Sequence, residues 1–418
     1  MPTALIIGGG IAGPTTALAL QRAGFEPIVF EAYPRTSADI GSYFTITPNG
    51  LDALRTLDAL HLAQAIGIPT QKNVLWNERG QRLASIPLGT PLADGTKSLT
   101  MKRTRLGRAL QDEAILRRVR IEFGKRLASA TETLHGSVIA RFEDGSEAEG
   151  DLLIGADGVR SRTRHLIDPS APASRYVGLL NFGGYTPQLA LDAEPEAWHM
   201  IFGRRAFFGY ILDGAGGVVW FANVPRHAVT PEERRSTGNE DWQRYVVELF
   251  AADHGPAVDL IRRGELELAG DSTYDLPHVP TWHRGRMIII GDAAHAPSPS
   301  SGQGASLAIE DAVVLAKCLG QASSIHDAYT VYERLRRERV ERIVAQGARS
   351  SSAKVPGPLG RLVRDLMLPL LFRFVVTDKS LAWMYDYRTD SDARIDLATS
   401  QMPIACAGSG PACAPSGR

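Results

Sequence analysis

The stretch ALIIGGGIAGPTTALALQRAGFEPIVFEA, residues Ala4–Ala32, decides the fold. A short apolar run, Ala4–Ile7, meets a cluster of glycines. A helix-like run follows, TTALALQRAG, and stops at Gly24, where a helix C-cap is expected. A second apolar run, PIVFEA, comes next. Strand, helix and strand in this order make a β-α-β unit, which implies parallel strands in an open α/β sheet.

Gly8, Gly10 and Gly13 form G-x-G-x-x-G between strand and helix. Glycines at this spacing permit a tight turn, close approach of backbone to a pyrophosphate, and close packing of helix on sheet. The helix N-terminus offers free N–H groups to the phosphates. Glu31 ends the second strand at the distance expected of a carboxylate that bonds a ribose 2′-OH. The motif predicts a dinucleotide and leaves NAD and FAD both open, because each carries an adenosine with a free 2′-OH.

Working outward, helices fit GLDALRTLDAL and RTRLGRALQDEA, and a hairpin turning at Asp144-Gly145 leads into the strand DLLIGA. Between about Tyr176 and Asp275 the texture changes to aromatic and β-branched runs split by glycines. That reads as a mostly antiparallel sheet. The α/β pattern returns at RGRMIIIGDAAH. The expected division is therefore a discontinuous nucleotide domain (residues 1–70, 100–175 and 276–355) and a sheet domain (71–99 and 176–275). C-terminal helices (356–400) and a disordered tail (401–418) complete it. VYERLRRERVERI is read as one face of an exposed helix.

A second stretch, GDAAHAPSPSSGQGASLAIEDA (Gly291–Ala312), mixes Asp, His, Ser and Glu. A nucleophile elbow needs Ser at a sharp strand-to-helix turn. Ser306 instead falls inside the following helix. His295 has no second His at metal-ligand spacing, so no metal site is expected. A cofactor explains more. Asp292 stands at the carboxyl end of a strand, where open α/β sheets bind ligands. Pro299, Gly302 and Gly304 let backbone approach a flat ring, and the helix that follows points positive charge at the loop.

GDAAHAPSPSSGQG resembles the second FAD fingerprint of the single-component FAD-dependent aromatic hydroxylases, the p-hydroxybenzoate hydroxylase-like and salicylate hydroxylase-like monooxygenases. GGGIAG with Glu31 resembles their first fingerprint, GADGVRSRTR their Asp-Gly motif, RTRLGRAL their R-x-x-L-x-x-x-L, and GSYFTITPNGLDAL the segment beside their flavin ring. The resemblance implies a Rossmann-like FAD-binding domain with an inserted substrate sheet. It implies FAD as cofactor, NADH or NADPH as a transient reductant, and O2 as co-substrate. It further implies hydroxylation or epoxidation of an aromatic or polyketide-like small molecule through a flavin C4a-hydroperoxide. In that scheme Arg103 contacts the flavin, Asp157 helps to hold FAD and the nicotinamide donor, and Asp292 binds the ribitol. Gly302 and Gly304 approach the pyrimidine side, and Pro299 lines the reactive face. His295 belongs to the family pattern and is given a structural role. Ser306 departs from it, since many members have Asn there. The same fold would also serve an FAD-linked dehydrogenase without oxygen insertion. WFANVP, residues Trp220–Pro225, misses the halogenase W-x-W-x-I-P at Ala222.

The substrate sheet offers aromatics for a pocket wall: Phe202, Phe207, Phe208, Tyr210 and Trp220. From residue type alone His199, Tyr185 and Tyr210 are candidate bases, with Arg204 or Arg205 to hold an anionic group. Lys plus Arg and Asp plus Glu both total 46, and zero net charge gives no reason to expect nucleic acid or an anionic membrane. Three cysteines without paired spacing argue against a disulfide scaffold. The run Leu366–Val376 is too short to span a bilayer. No basic leader is seen, so a cytoplasmic monomer or homodimer is expected.

Overall fold

The computed structural model describes residues 1–35, 41–352, 360–361, 363–367 and 378–389. Strand Thr3–Ile7 lies between Leu152–Gly155 and Glu26–Glu31, parallel to both. Its core positions Leu5 and Ile6 are fully buried, as a strand covered on both faces requires. The helix Ala12–Arg22 ends where Gly24 takes φ +85° and Phe25 N–H bonds back to the Leu20 carbonyl. Only a glycine adopts that left-handed turn without strain.

The full sheet has six strands in the order His283–Arg284, Met287–Ile289, Leu152–Gly155, Thr3–Ile7, Glu26–Glu31, Arg120–Phe123. All pairs are parallel except the outermost, His283–Arg284 with Met287–Ile289. Strands from the start, middle and end of the chain thus share one layer. A three-stranded antiparallel sheet, Leu127–Glu132, Val138–Phe142 and Glu147–Gly150, adjoins it, with Gly145 at φ +83° in the expected hairpin turn.

A second sheet has seven strands in the order Glu265–Asp275, Arg175–Thr186, Val218–Pro225, Phe207–Leu212, Ala197–Phe202, Lys72–Asn77, Arg82–Pro87. It is antiparallel apart from Lys72–Asn77 beside Ala197–Phe202. Its two faces have different neighbours. Phe182, Ile201, Phe208, Tyr210 and Trp220 pack with Trp242, Val246, Phe250 and Leu260 from helices Asn239–Phe250 and Ala257–Arg263. The alternate residues Trp198, Ile211 and Val219 pack with Tyr43 and Ile68 of a small sheet formed by Tyr43–Ile46, Ser98–Lys102 and Ile68–Thr70. Trp198 Nε1 fastens that contact, donating to Thr45 Oγ1 and Thr100 Oγ1 at 3.0 Å each.

Three features differ from the sequence reading. Helices fall within the middle region and form a layer behind the sheet. GLDALRTLDAL does not make one helix: Pro48–Thr56 and Leu60–Ile66 are separate, with Asp58 at φ 52° between them. The charged helix Ile325–Ser352 is not simply exposed, because Arg336 on it is completely buried. Of the expected C-terminal helices, Asp378–Tyr385 is described. The segment 401–418 lies outside the described residues, as does most of Leu366–Val376. No described helix is long and apolar enough to cross a membrane.

Candidate cofactor and substrate site

A cleft of about 410 Å³ opens at the carboxyl ends of the parallel strands. Gly9, Gly10 and Glu31 line one end; Arg103 and Gly107 of helix Arg103–Leu116 line its flank. Leu268 and Asp271 close it from the seven-stranded sheet.

The fingerprint glycines do different jobs. A Cβ on Gly13 would stand 1.8 Å from the Gly8 carbonyl oxygen, and one on Gly8 (φ +110°) would stand 2.4 Å from the Ala156 oxygen. Both are required by the protein's own backbone packing. A Cβ on Gly10 would meet no protein atom within 4 Å. Gly10 thus leaves open space in the cleft, where the helix Ala12–Arg22 presents its N-terminus. Glu31 Oε2 accepts from Gly9 N at 2.6 Å and Oε1 from Tyr33 N at 2.9 Å, which fixes the carboxylate at the cleft wall.

Asp157 is committed locally. Its carboxylate accepts from Ser161 Oγ at 2.5 Å and from Thr163 N and Oγ1 at 2.9 and 3.0 Å, organising the start of helix Arg162–Ile167. Arg164, buried in the same motif, donates to the Ala293 carbonyl at 3.0 Å and so ties this loop to the Gly291–Ala293 turn.

That turn carries Asp292. Its carboxylate makes no hydrogen bond to the described residues, and burial pushes it up from the ordinary carboxylate range, against the pull of Arg103 and His295. Position 304, where the helix Gly304–Gln321 begins, would place a Cβ 3.7 Å from Asp292 Oδ1. Pro299 and Gly302 (φ +63°) are exposed on the same loop, with open space at Gly302. An acceptor left without a protein partner beside an open glycine turn suits a hydroxyl-bearing chain. The Arg103 side chain likewise has no hydrogen-bond partner among the described residues. Backbone shape at Gly10, free acceptor at Asp292 and free guanidinium at Arg103 together fit the diphosphate, polyol and ring of FAD.

Behind the loop runs a buried polar network that the sequence did not disclose. Asp311 accepts from His295 Nε2 at 2.6 Å, Arg336 Nε at 2.7 Å and Gly291 N at 2.9 Å. Burial alone would raise the Asp311 carboxyl, yet the His295 and Arg336 charges hold it well below its usual range. Glu310 beside it faces Arg336 and accepts from Arg339 and Asn49. Ser306 is equally buried and turns away from the open loop. Its Oγ lies 3.1 Å from Thr47 Oγ1, and a Cβ on Gly50 would come within 2.8 Å of it. Gly50 lacks a Cβ where helix Pro48–Thr56 approaches Ser306.

The residues offered as bases do not stand in the cleft. His199 and Tyr210 are opposed in register on the helix-backed face, with rings stacked at 4.8 Å. Both His199 nitrogens are engaged: Nε2–H donates to the Glu194 carbonyl at 3.0 Å and Nδ1 accepts from Trp76 Nε1 at 3.2 Å. Burial lowers its pKa and keeps it neutral. Burial pushes the Tyr210 hydroxyl up to about 12. Tyr185 donates to Asp213, and Arg204 and Arg205 are exposed beside Asp253 and Glu248. Trp220 of the WFANVP stretch stacks on Phe208 at 6.0 Å in the core, so that tryptophan is structural. The cleft wall is instead Leu268 and Asp271, and no sequence signal marks either.

The site defines a dinucleotide-binding flavoenzyme whose cofactor cleft is roofed by a separate sheet. The chain belongs to the FAD-binding domain family, whose model matches residues 1–347. It is 32% identical over 348 residues to an aurachin C monooxygenase/isomerase of Stigmatella aurantiaca, covering 82% of this chain and 87% of that one. It is 31% identical to an FAD-dependent urate hydroxylase of Klebsiella pneumoniae, covering 82% of this chain and 87% of the other. Among solved structures it is similar to Klebsiella pneumoniae HpxO complexed with FAD and uric acid. The TM-score is 0.79 at 26% identity, covering 91% of this chain and 97% of that one. This protein is accordingly an FAD-dependent monooxygenase that takes electrons from NADH or NADPH and acts on a small molecule.

Proposed function

We propose that the protein inserts one oxygen atom of O2 into an oxo- or hydroxy-substituted heteroaromatic ring held between the cofactor cleft and the flavin-facing side of the seven-stranded sheet. The observation that carries this reading is the cleft lined by Gly10, Glu31 and Arg103 and closed by Leu268 and Asp271, which brings the fingerprint turn and the sheet to one place. The likeness to enzymes of urate and aurachin C supports the substrate class. Bound FAD supplies hydride acceptance from the nicotinamide and activation of oxygen.

The chain's own residues then have four tasks. Gly10 and the helix behind it receive the diphosphate, and Glu31 the adenosine ribose. Asp292 accepts from the polyol, held there by the Asp311 network. Arg103 stabilises negative charge developing on the ring system. Trp198, Phe207 and Phe221 on the flavin-facing side exclude water, which protects a reactive oxygen species from unproductive decay.

The test is a panel of oxo- and hydroxy-heteroaromatics scored for faster NADH or NADPH oxidation, with peroxide measured alongside and products made under isotopically heavy oxygen. Heavy oxygen in the product is expected. Turnover without any incorporated label would replace this reading by that of a dehydrogenase.

A further inference from the structure

One register row of the seven-stranded sheet changes chemistry along its length. Asp271, Asn181, Asn223, Phe207, Phe202 and Asn77 lie opposite one another across successive strands. Leu180, Phe182, Ala222 and Val224, their neighbours along the chain, belong to the helix-backed core. Side chains alternate along a strand, so this row faces the other way, toward the cofactor. Its far end is covered. Asn77 Nδ2 donates to Asp365 at 3.0 Å, and the Arg364 guanidinium lies 5.0 Å from the Phe202 ring centre. Its near end is open, because Asp271 lines the cleft together with Arg103.

Asn223 fixes the orientation of Asn181. Asn223 Nδ2 donates to Asn181 Oδ1 at 3.0 Å, which leaves the Asn181 amide nitrogen for another partner, and Asp271 is the register partner of Asn181 on its other side. Neither that nitrogen nor the Asp271 carboxylate has a hydrogen-bond partner among the described residues. Asp271 is exposed to the cleft; desolvation by the surrounding protein pushes its carboxyl up, while Arg234, Arg160 and Arg103 pull it back toward the charged form. A donor and an acceptor therefore stand side by side on the cofactor side of the sheet. Opposed residues are about 5 Å apart at Cβ, so their side chains can converge on neighbouring atoms of one ring.

We propose that Asn181 and Asp271 read the edge of a cyclic amide in the substrate. The Asn181 amide donates to the ring carbonyl, and the Asp271 carboxylate accepts from the adjacent ring N–H. This rests on the heteroaromatic reading above and narrows it, since a carbocyclic phenol presents no such paired edge. Both residues are specificity-determining groups, and no proton transfer is assigned to them.

The experiment titrates the flavin-loaded protein with carbostyril and with its carbocyclic counterpart β-naphthol, following the flavin absorbance. The native protein should bind carbostyril at least about tenfold more tightly, the effect of one or two good hydrogen bonds, one of them to a charge. Asn181→Leu and Asp271→Leu should each reduce that ratio below about threefold, while β-naphthol binding stays within about threefold of native. Because Asp271 borders the cofactor, binding is measured per retained flavin, and Asp271→Asn serves as a second variant that keeps the side-chain shape and an acceptor oxygen. It should give an intermediate ratio. A native ratio near one with both probes bound overturns the edge-reading pair and leaves the heteroaromatic reading intact. So does a ratio that the variants leave unchanged. If neither probe perturbs the flavin and no heteroaromatic speeds reductant use, both proposals fall.

Discussion

The cofactor cleft and the sheet that roofs it are built on opposite principles. At the cleft, function lies in backbone shape: side chains are absent where the ligand or another strand must pass. On the sheet, placement lies in parity: whether a side chain points toward the helices or away from them decides which neighbours it meets. Backbone shape is written into sequence as glycine spacing. Parity is written as a period-two alternation common to both faces, with no mark of which face carries helices. Phe207 and Phe208 are adjacent letters, yet Phe208 packs with Trp220 and Phe250 while Phe207 meets Phe202 and Phe221.

The largest expected effect separates two kinds of glycine within the fingerprint. Gly13→Ala must push a methyl into the Gly8 carbonyl, and folding should lose more than about 3 kcal/mol or fail. Gly10→Val meets open space, so the apo fold should stay within about 1 kcal/mol of native in chemical unfolding. Its flavin content after gel filtration should fall nearly to nothing. A Gly10→Val protein that remained yellow would remove the diphosphate from this turn.

Next comes the network under the second loop. Arg336→Met leaves Glu310 and Asp311 buried without their shared cation, which should cost about 3–5 kcal/mol. Thermal unfolding measures it, and a loss below about 1 kcal/mol would mean that the network is neutral. The pH dependence follows from the depressed Asp311 carboxyl. Its contribution to stability is complete above the unfolded value, 3.8, and drains away as pH falls below that toward the lower folded value. Asp311→Asn should flatten this acid limb while lowering stability at neutral pH.

Asp292→Ala acts on the ligand rather than on the fold. The carboxylate bonds no described residue, so Tm of the apoprotein should hold or rise slightly as a buried charge is removed. FAD affinity should weaken about tenfold to a hundredfold, the range for a hydrogen bond to a charged acceptor. Unchanged FAD affinity by fluorescence titration would show that the polyol is held elsewhere.

These contrasts explain what could be read in advance. The β-α-β opening, the glycine turn and the Asp292 loop were legible because each places an unusual residue at a strand end, where few alternatives exist. Arg336 was not legible: in VYERLRRERVERI it is one arginine of five, and only packing of that helix on Gly304–Gln321 selects which is buried. Ser306 stood out only as a departure from the family's asparagine, and its side chain lies beside Thr47 and Gly50, a contact between helices that no spacing in the sequence announces. Asp271 carries no motif, because its place at the cleft comes from a register across three strands.

The smallest expected effect bears most directly on the contrast between faces. His199 and Tyr210 have the residue types of a catalytic base, and parity places them on the helix-backed face. If parity decides, Tyr210→Phe should change kcat and KM by less than about threefold, the scatter of a conservative core substitution. His199→Gln should likewise spare turnover and affect stability, through the lost Trp76 and Glu194 bonds. Its pH signature is distinctive. Burial depresses the His199 pKa below the ordinary value of 6.5, so the native state resists a proton that the unfolded chain accepts. Native stability should therefore decline as pH falls below 6.5, and His199→Gln should lose part of that decline. A pH–rate profile that shifted in either variant, measured as kcat/KM, would place one of these side chains back in contact with the reaction. The helix-backed face would then have to open during turnover, and the two faces of the sheet would no longer be functionally distinct.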